Sequence, residues 1–335
     1  MADTFTGLTD EENPHGGSRV LPFSTTSRFE AAGKREEASK GPANCRQLLY
    51  ERLGLEELVS LSVWRASLAE VLGTAVLVFL IDTIVISSFQ TDTKTPNVLI
   101  SFLIFLSITI LLLATAPMSG GHINPIVTFS AALLGLISPT RASVYIMAQC
   151  CGGVLGALGL KAVVGHTIEQ AFLVGGCTLR VVAQGPEGAV SVGVETSQGL
   201  WLEIICTFIF LYGSIWIAFD KRQARAHGPV IVCSIVGAVL GLLVFISLTV
   251  TNQKGYSGAG INPARCIGPA LVRGGHLWDD HWVYWVGPAI GCAIFYLYIK
   301  ISPPEHFHAD YDFKYDFITT VKTILCSRTP HRSSI

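Results

Sequence analysis

Apolar residues run along this chain in long blocks separated by short polar breaks. Six blocks, at about 66–88, 98–117, 143–165, 198–219, 230–251 and 281–301, reach or approach the roughly 20 residues a helix needs to cross a bilayer. Two shorter apolar runs, at about 124–134 and 262–272, cannot span and fit half-helices that dip into the membrane. Both open in the same way. Ser119-Gly120-Gly121-His122-Ile123-Asn124-Pro125 leads into Ile126, and Ser257-Gly258-Ala259-Gly260-Ile261-Asn262-Pro263 leads into Ala264. Asn is a strong helix N-cap, and Pro suits the first helical position, where its missing N–H costs nothing. Each triplet therefore predicts the start of a short helix.

The two halves repeat. Glu70 with Thr74 near the start of the first block matches Glu203 with Thr207 in the fourth, 133 residues on. The triplets are 138 residues apart, and Gly152 and Gly291 in the third and sixth blocks are 139 apart. With three spans per half, the second copy enters the membrane from the opposite side, an inverted repeat. The expected fold is all-α, six transmembrane helices plus two re-entrant half-helices whose N-termini meet near the midplane. Gly73, Gly120, Gly121, Gly152, Gly258, Gly260 and Gly291 suit close packing of helices and loops.

Charge sharpens this. Only 14% of the 335 residues are charged, against roughly 25% in ordinary soluble domains. Basic residues gather before the first span (Arg19 through Arg65), at Arg141, at Lys221, Arg222 and Arg225, and after the sixth span. Six spans put all four groups on one face, the cytoplasmic one by the positive-inside rule. Residues 1–62 then form a cytoplasmic tail, polar and largely disordered; 63–302 form the membrane domain, with halves at about 63–166 and 198–302 joined by an outer loop 167–197; and 303–335 form a cytoplasmic C-terminal tail. No cleavable leader is apparent, so the first span is the expected insertion signal. A net charge of −1 argues against nucleic-acid binding. The nine cysteines show no metal-ligand spacing and read as small buried apolar residues. No nucleophile–base constellation suggests an enzyme, and no cofactor is implied.

The chemistry lies where the half-helices meet. Their N-termini carry partial positive charge and free N–H donors, so a lumen between them disfavours cations and hydronium. Asn124 and Asn262 can each donate to a passing oxygen, and a water held by both cannot relay protons. Arg265, three residues after Asn262, is an arginine near the membrane interior and thus a candidate functional residue. Glu70 and Glu203 are read as acceptors for backbone N–H groups of the re-entrant loop in their own half. A proton-relay role for these carboxylates is the alternative.

On these motifs the chain resembles the major intrinsic proteins, the aquaporins and aquaglyceroporins, over about residues 60–302. Within them it looks most like the plant X intrinsic proteins, because Cys266 follows Arg265 and Ile126 replaces the usual Ala of the first triplet. The barrier argument above is the general one for aquaporin-type pores. The resemblance implies homotetramers with one pore per subunit, with hetero-oligomers of related channels a further option. It also implies a four-residue selectivity filter: Ile104, Thr249 (with Val250 as the neighbouring candidate), Ala259 and Arg265. Ile, Thr and Ala stand where water-selective members have an aromatic ring and a histidine. The expected solutes are small and uncharged: glycerol, urea, boric acid, hydrogen peroxide and also water. A water-selective pore and an ion-coupled transporter are the competing readings. The bulk of Ile126 is expected to shift the half-helix contact or to narrow the cytoplasmic side of the junction. His227, in the basic loop before span five, resembles a gating histidine of plant plasma-membrane aquaporins, and histidine is the side chain suited to sensing acidification. The basic cytoplasmic tail fits the plasma membrane.

Overall fold

The computed structural model describes residues 45–91, 93–185 and 188–302, together with positions 318, 321, 322 and 325. Among them are six helices long and apolar enough to cross a membrane. Span one is Leu61–Gln90, span two Pro96–Ser119 and span three Pro139–Val163. Span four, Thr196–Phe219, contains a wide π-type turn at Leu211–Ile215. Span five lies in Lys221–Thr251, which breaks at Gly228 (φ 76°, ψ 163°) ahead of Pro229. Span six is Val283–Ile301.

The half-helices are Pro125–Leu133 (9 residues) and Pro263–Arg273 (11 residues). At about 1.5 Å per residue they run some 14 and 17 Å, half of a roughly 30 Å hydrocarbon core. The expected six spans and two half-helices are present. The helix starts follow local rules: Ser138 accepts from Arg141 N, and Glu195 with Gln198 forms a reciprocal capping box.

Packing repeats the sequence symmetry. A methyl group on Gly152 of span three would collide with the Val71 carbonyl and the Thr74 side chain of span one. One on Gly291 of span six would collide with the Ile204 carbonyl and the Thr207 side chain of span four. The two crossings are copies, and glycine is what lets the helices approach so closely.

Two segments carry more structure than their composition suggests. The end of the N-terminal tail holds a helix, Cys45–Leu53, and a 3₁₀ turn, Leu55–Val59. Glu57 in that turn pairs with Arg141 at 3.1 Å and so ties the tail to the start of span three. The expected disorder of residues 1–44 and the C-terminal tail fall outside the described residues, apart from the four positions named above. The outer loop is also built. It contains the helix His166–Phe172 and an antiparallel hairpin, β1 (Arg180–Gly185) and β2 (Gly188–Gly193), registered from Arg180↔Gly193 to Gly185↔Gly188. Arg180 is pinned outside the membrane by Asp280 at 2.6 Å and Thr196 at 2.6 Å. The Asp280 hydrogen bond, followed by its charge, pushes the Arg180 pKa up.

Candidate pore and selectivity filter

Each re-entrant loop is held by the glutamate of its own half. Glu70, fully buried, accepts from His122 N (3.0 Å) and Ile123 N (2.6 Å), and also from Ser119 Oγ (2.5 Å) and Gln149 Nε2 (2.7 Å). Glu203, equally buried, accepts from Gly260 N (2.5 Å) and Ile261 N (3.0 Å). These loop N–H groups have no helical partner, so a buried acceptor is required for the chain to turn back inside the membrane. The carboxylates are thereby committed to backbone donors, which leaves no free lumenal carboxylate at either position for a proton relay.

The loops turn at Ile123 (φ 40°) and Ile261 (φ 56°). A β-branched residue rarely adopts left-handed φ, and such strain clusters at functional sites. Here it aims each carbonyl at the other half: Asn262 Nδ2 donates to Ile123 O at 2.9 Å, and Asn124 Nδ2 donates to Ile261 O at 3.2 Å. Each Asn also caps its helix. Asn124 Oδ1 accepts from Ile126 N at 2.8 Å, and Asn262 Oδ1 accepts from Ala264 N at 3.0 Å. An amide NH₂ has two protons. The cross-link uses one, and the other is left for a solute, since both asparagines line the central cavity.

That cavity has a volume of about 90 Å³, room for a short file of waters or one small polyol. Its wall is mostly aliphatic: Leu77, Ile81, Ile100, Ile104, Ile108, Val127, Val236 and Leu240 among others. The polar exceptions are Asn124, Asn262, Arg265, His122, Tyr256, Ser257 and loop backbone. Ile104, Ala259 and Arg265 all face the cavity. Ala259 is fixed by its N–H donating to Ser247 Oγ at 3.0 Å.

Span five differs from the sequence expectation. Thr249 and Val250 are both exposed on the outside of the helix, and the Thr249 hydroxyl donates back to Phe245 O at 2.7 Å. The lumenal residues there are Val244 and Leu248. The loop Asn252–Tyr256 conceals how far span five has turned, and on a helix a shift of one residue turns a side chain by about 100°. Ile126 also differs: it is buried in the core, and its neighbour Val127 faces the cavity instead. It therefore does not narrow the junction. Pro125, Pro263 and Ala264 are buried, the last with its carbonyl packed on Gly153. His227 lies on the short helix before the Gly228 break, exposed, with Nδ1 2.9 Å from Gln223 O.

Two residues beside Arg265, Cys177 and Asp82, escaped the sequence reading. Cys266 is joined to Cys177 of the outer loop by a disulfide, so these two cysteines are not simple apolar filler. The signal available was topological, since both lie on the outer side of the predicted spans. Asp82, in span one, is fully buried with Oδ1 3.5 Å from Arg265 Nη2. The acidic residues inside spans one and four are thus three rather than the matched glutamate pair, and the signal was the charge itself.

A family model described as Major intrinsic protein matches residues 57–298, most of the chain. The chain belongs to the major intrinsic proteins. It is 35% identical over 251 residues to Aquaporin PIP1-2 of Musa acuminata subsp. malaccensis, covering 73% of this chain and 81% of that protein. It is 37% identical over 252 residues to Aquaporin PIP1-1 of Arabidopsis thaliana, covering 72% and 80%. In fold it resembles the aquaglyceroporin from Plasmodium falciparum, with a TM-score of 0.57 at 19% identity, over 72% of this chain and 96% of that one. This major intrinsic protein is a multi-pass membrane channel for water or small neutral solutes, not an enzyme.

Proposed function

We propose that this channel is a broad-solute pore of the X intrinsic protein type that passes glycerol, urea, boric acid and hydrogen peroxide, with water as a secondary permeant. The observation that carries the reading is the composition of the constriction. In the cavity wall with Arg265 stand Ile104, Leu248, Val244 and Ala259, and none of these four carries a ring or an imidazole. Aliphatic walls accept carbon-bearing solutes at little desolvation cost, whereas polar groups lost from water need partners. Arg265, Asn124 and Asn262 supply those partners. Opposed half-helix N-termini and the arginine exclude protons and cations passively. Cys266 beside Arg265 supports the X intrinsic protein assignment. The apolar outer surfaces of the spans suit a homotetramer in the plasma membrane, hetero-oligomers included, and His227 is the proposed acid-sensing residue of the cytoplasmic loop.

Stopped-flow light scattering of the purified protein in liposomes, with parallel gradients of water, glycerol and boric acid, tests this. Glycerol and boric acid flux well above that of empty liposomes, independent of proton or sodium gradients, is expected. Conduction of water alone would overturn the reading in favour of a water-selective pore, and dependence on an ion gradient would favour a coupled transporter.

A further inference from the structure

Arg265 is enclosed on its non-lumenal side by a cage that no repeat symmetry demands. Its Nη2 donates to Gly175 O at 3.0 Å and lies 3.5 Å from Asp82 Oδ1. Its Nη1 points at Cys177 Sγ at 2.6 Å. Cys177 is covalently bonded to Cys266, the residue after the arginine. The wall of the cage is built around Asp82. Leu173, Val174 and Gly175 take three successive left-handed conformations (φ 51°, 56° and 68°), and Val174 is wholly buried. This turn presses Gly175 onto span one so closely that a Cβ there would lie 2.7 Å from the Asp82 Cβ. Gly at this position is required both by φ and by space.

Neither Asp82 oxygen has a hydrogen-bond donor among the described residues. A carboxylate buried in that state is costly unless a cation stands beside it, and the guanidinium is that cation. The position of Asp82 in span one has no acidic counterpart in span four, where the residue 133 positions on is Ile215. The pair therefore belongs to the outer filter alone rather than to the repeated scaffold.

We infer that Asp82 is a positioning and specificity residue of the filter, holding the Arg265 guanidinium against the wall. Of the five guanidinium N–H groups, the cage takes two in hydrogen bonds, to Gly175 O and Cys177 Sγ, which leaves three on the side of Asp82 and the lumen. An arginine held back in this way keeps the constriction open on its fourth side as well. The size limit of the pore is then set by the Asp82–Gly175 cage as much as by the residues that line it.

This inference rests on the neutral-solute reading, and one experiment separates the two. Permeability to glycerol and to a five-carbon polyol is measured in liposomes for wild type, Asp82→Asn, Arg265→Gln and the double variant, each normalised to inserted protein. If wild type passes no glycerol, the proposed function fails before Asp82 is examined. Otherwise, freeing the guanidinium in Asp82→Asn should lower the polyol-to-glycerol ratio by roughly fivefold or more, whereas Arg265→Gln, which removes the guanidinium altogether, should not lower it. The double variant should match Arg265→Gln, because Asp82 acts through the arginine. A wild-type ratio in Asp82→Asn, or the same fold-change whether or not Arg265 is present, overturns the inference. If Asp82→Asn fails to reach the membrane, abundance decides: recovery in the neutral double variant supports the pair, and no recovery refutes it.

Discussion

Replacing Glu203 by Gln is the sharpest probe of how the pore is held open. Its two oxygens receive one backbone N–H each, from Gly260 and Ile261, and among the described residues no side chain shares the task. Gln offers one acceptor and an NH₂ in nearly the same volume, so one N–H must face another donor. A hydrogen bond to a charged group contributes about 1.5–3 kcal/mol, and a stranded buried donor costs about 1–3 kcal/mol. A net loss of about 3 kcal/mol follows for Glu203→Gln. Glu70→Gln removes the acceptor of four donors, yet should cost less, about 2 kcal/mol. Two of its partners, Ser119 Oγ and Gln149, are side chains that can turn and accept from the new NH₂, leaving a single backbone N–H stranded. Thermal unfolding of the purified variants in detergent, followed by monodisperse recovery, reads the order. Both midpoints should fall below wild type, with Glu203→Gln the lower. Glycerol flux per inserted channel should fall in both variants, because Ile261 and Ile123, held by the two glutamates, precede the pore asparagines and their carbonyls accept from the asparagine of the other half. A Glu203→Gln midpoint at or above that of Glu70→Gln would refute the reasoning that adjustable partners, rather than the number of bonds, decide the cost.

Leu248→His should restore a narrow polar constriction and cut glycerol flux about tenfold or more while sparing water, the cost of excluding a carbon-bearing solute being about 1–3 kcal/mol; Thr249→His should leave the solute profile unchanged, and the reverse result would return Thr249 to the lumen. Cys177→Ser closes no 89-residue loop and should destabilise the outer half by about 2–4 kcal/mol, read as a lower melting midpoint that Cys266→Ser reproduces and the double variant does not deepen. Mild acidification of the cytoplasmic face should reduce conductance in wild type and not in His227→Ala; identical pH profiles would remove His227 from gating.

Much of this channel is legible in one dimension because membrane physics is local. A span is a matter of apolar length, and a half-helix start is a matter of Asn before Pro. The inverted repeat is a matter of counting, since three spans per half leave no other orientation. Asn124, Asn262, Arg265 and the two glutamates could be named from such rules before any coordinates. What sequence could not decide depends on the phase of a helix and on contacts between distant segments. The loop Asn252–Tyr256 hides how far span five has turned when it reaches the filter, so Leu248 rather than Thr249 faces the lumen. Ile126 differs in the same way, one position from Val127, which lines the pore. The cage around Arg265 joins residue 82 with 175, 177, 265 and 266, and no spacing predicts that meeting. Local chemistry thus set where the barrier to ions stands. Only the packing of span one and the outer loop onto the second half-helix decided how its arginine is held and which walls a solute touches, because a buried charge takes its character from neighbours that the chain brings from far away.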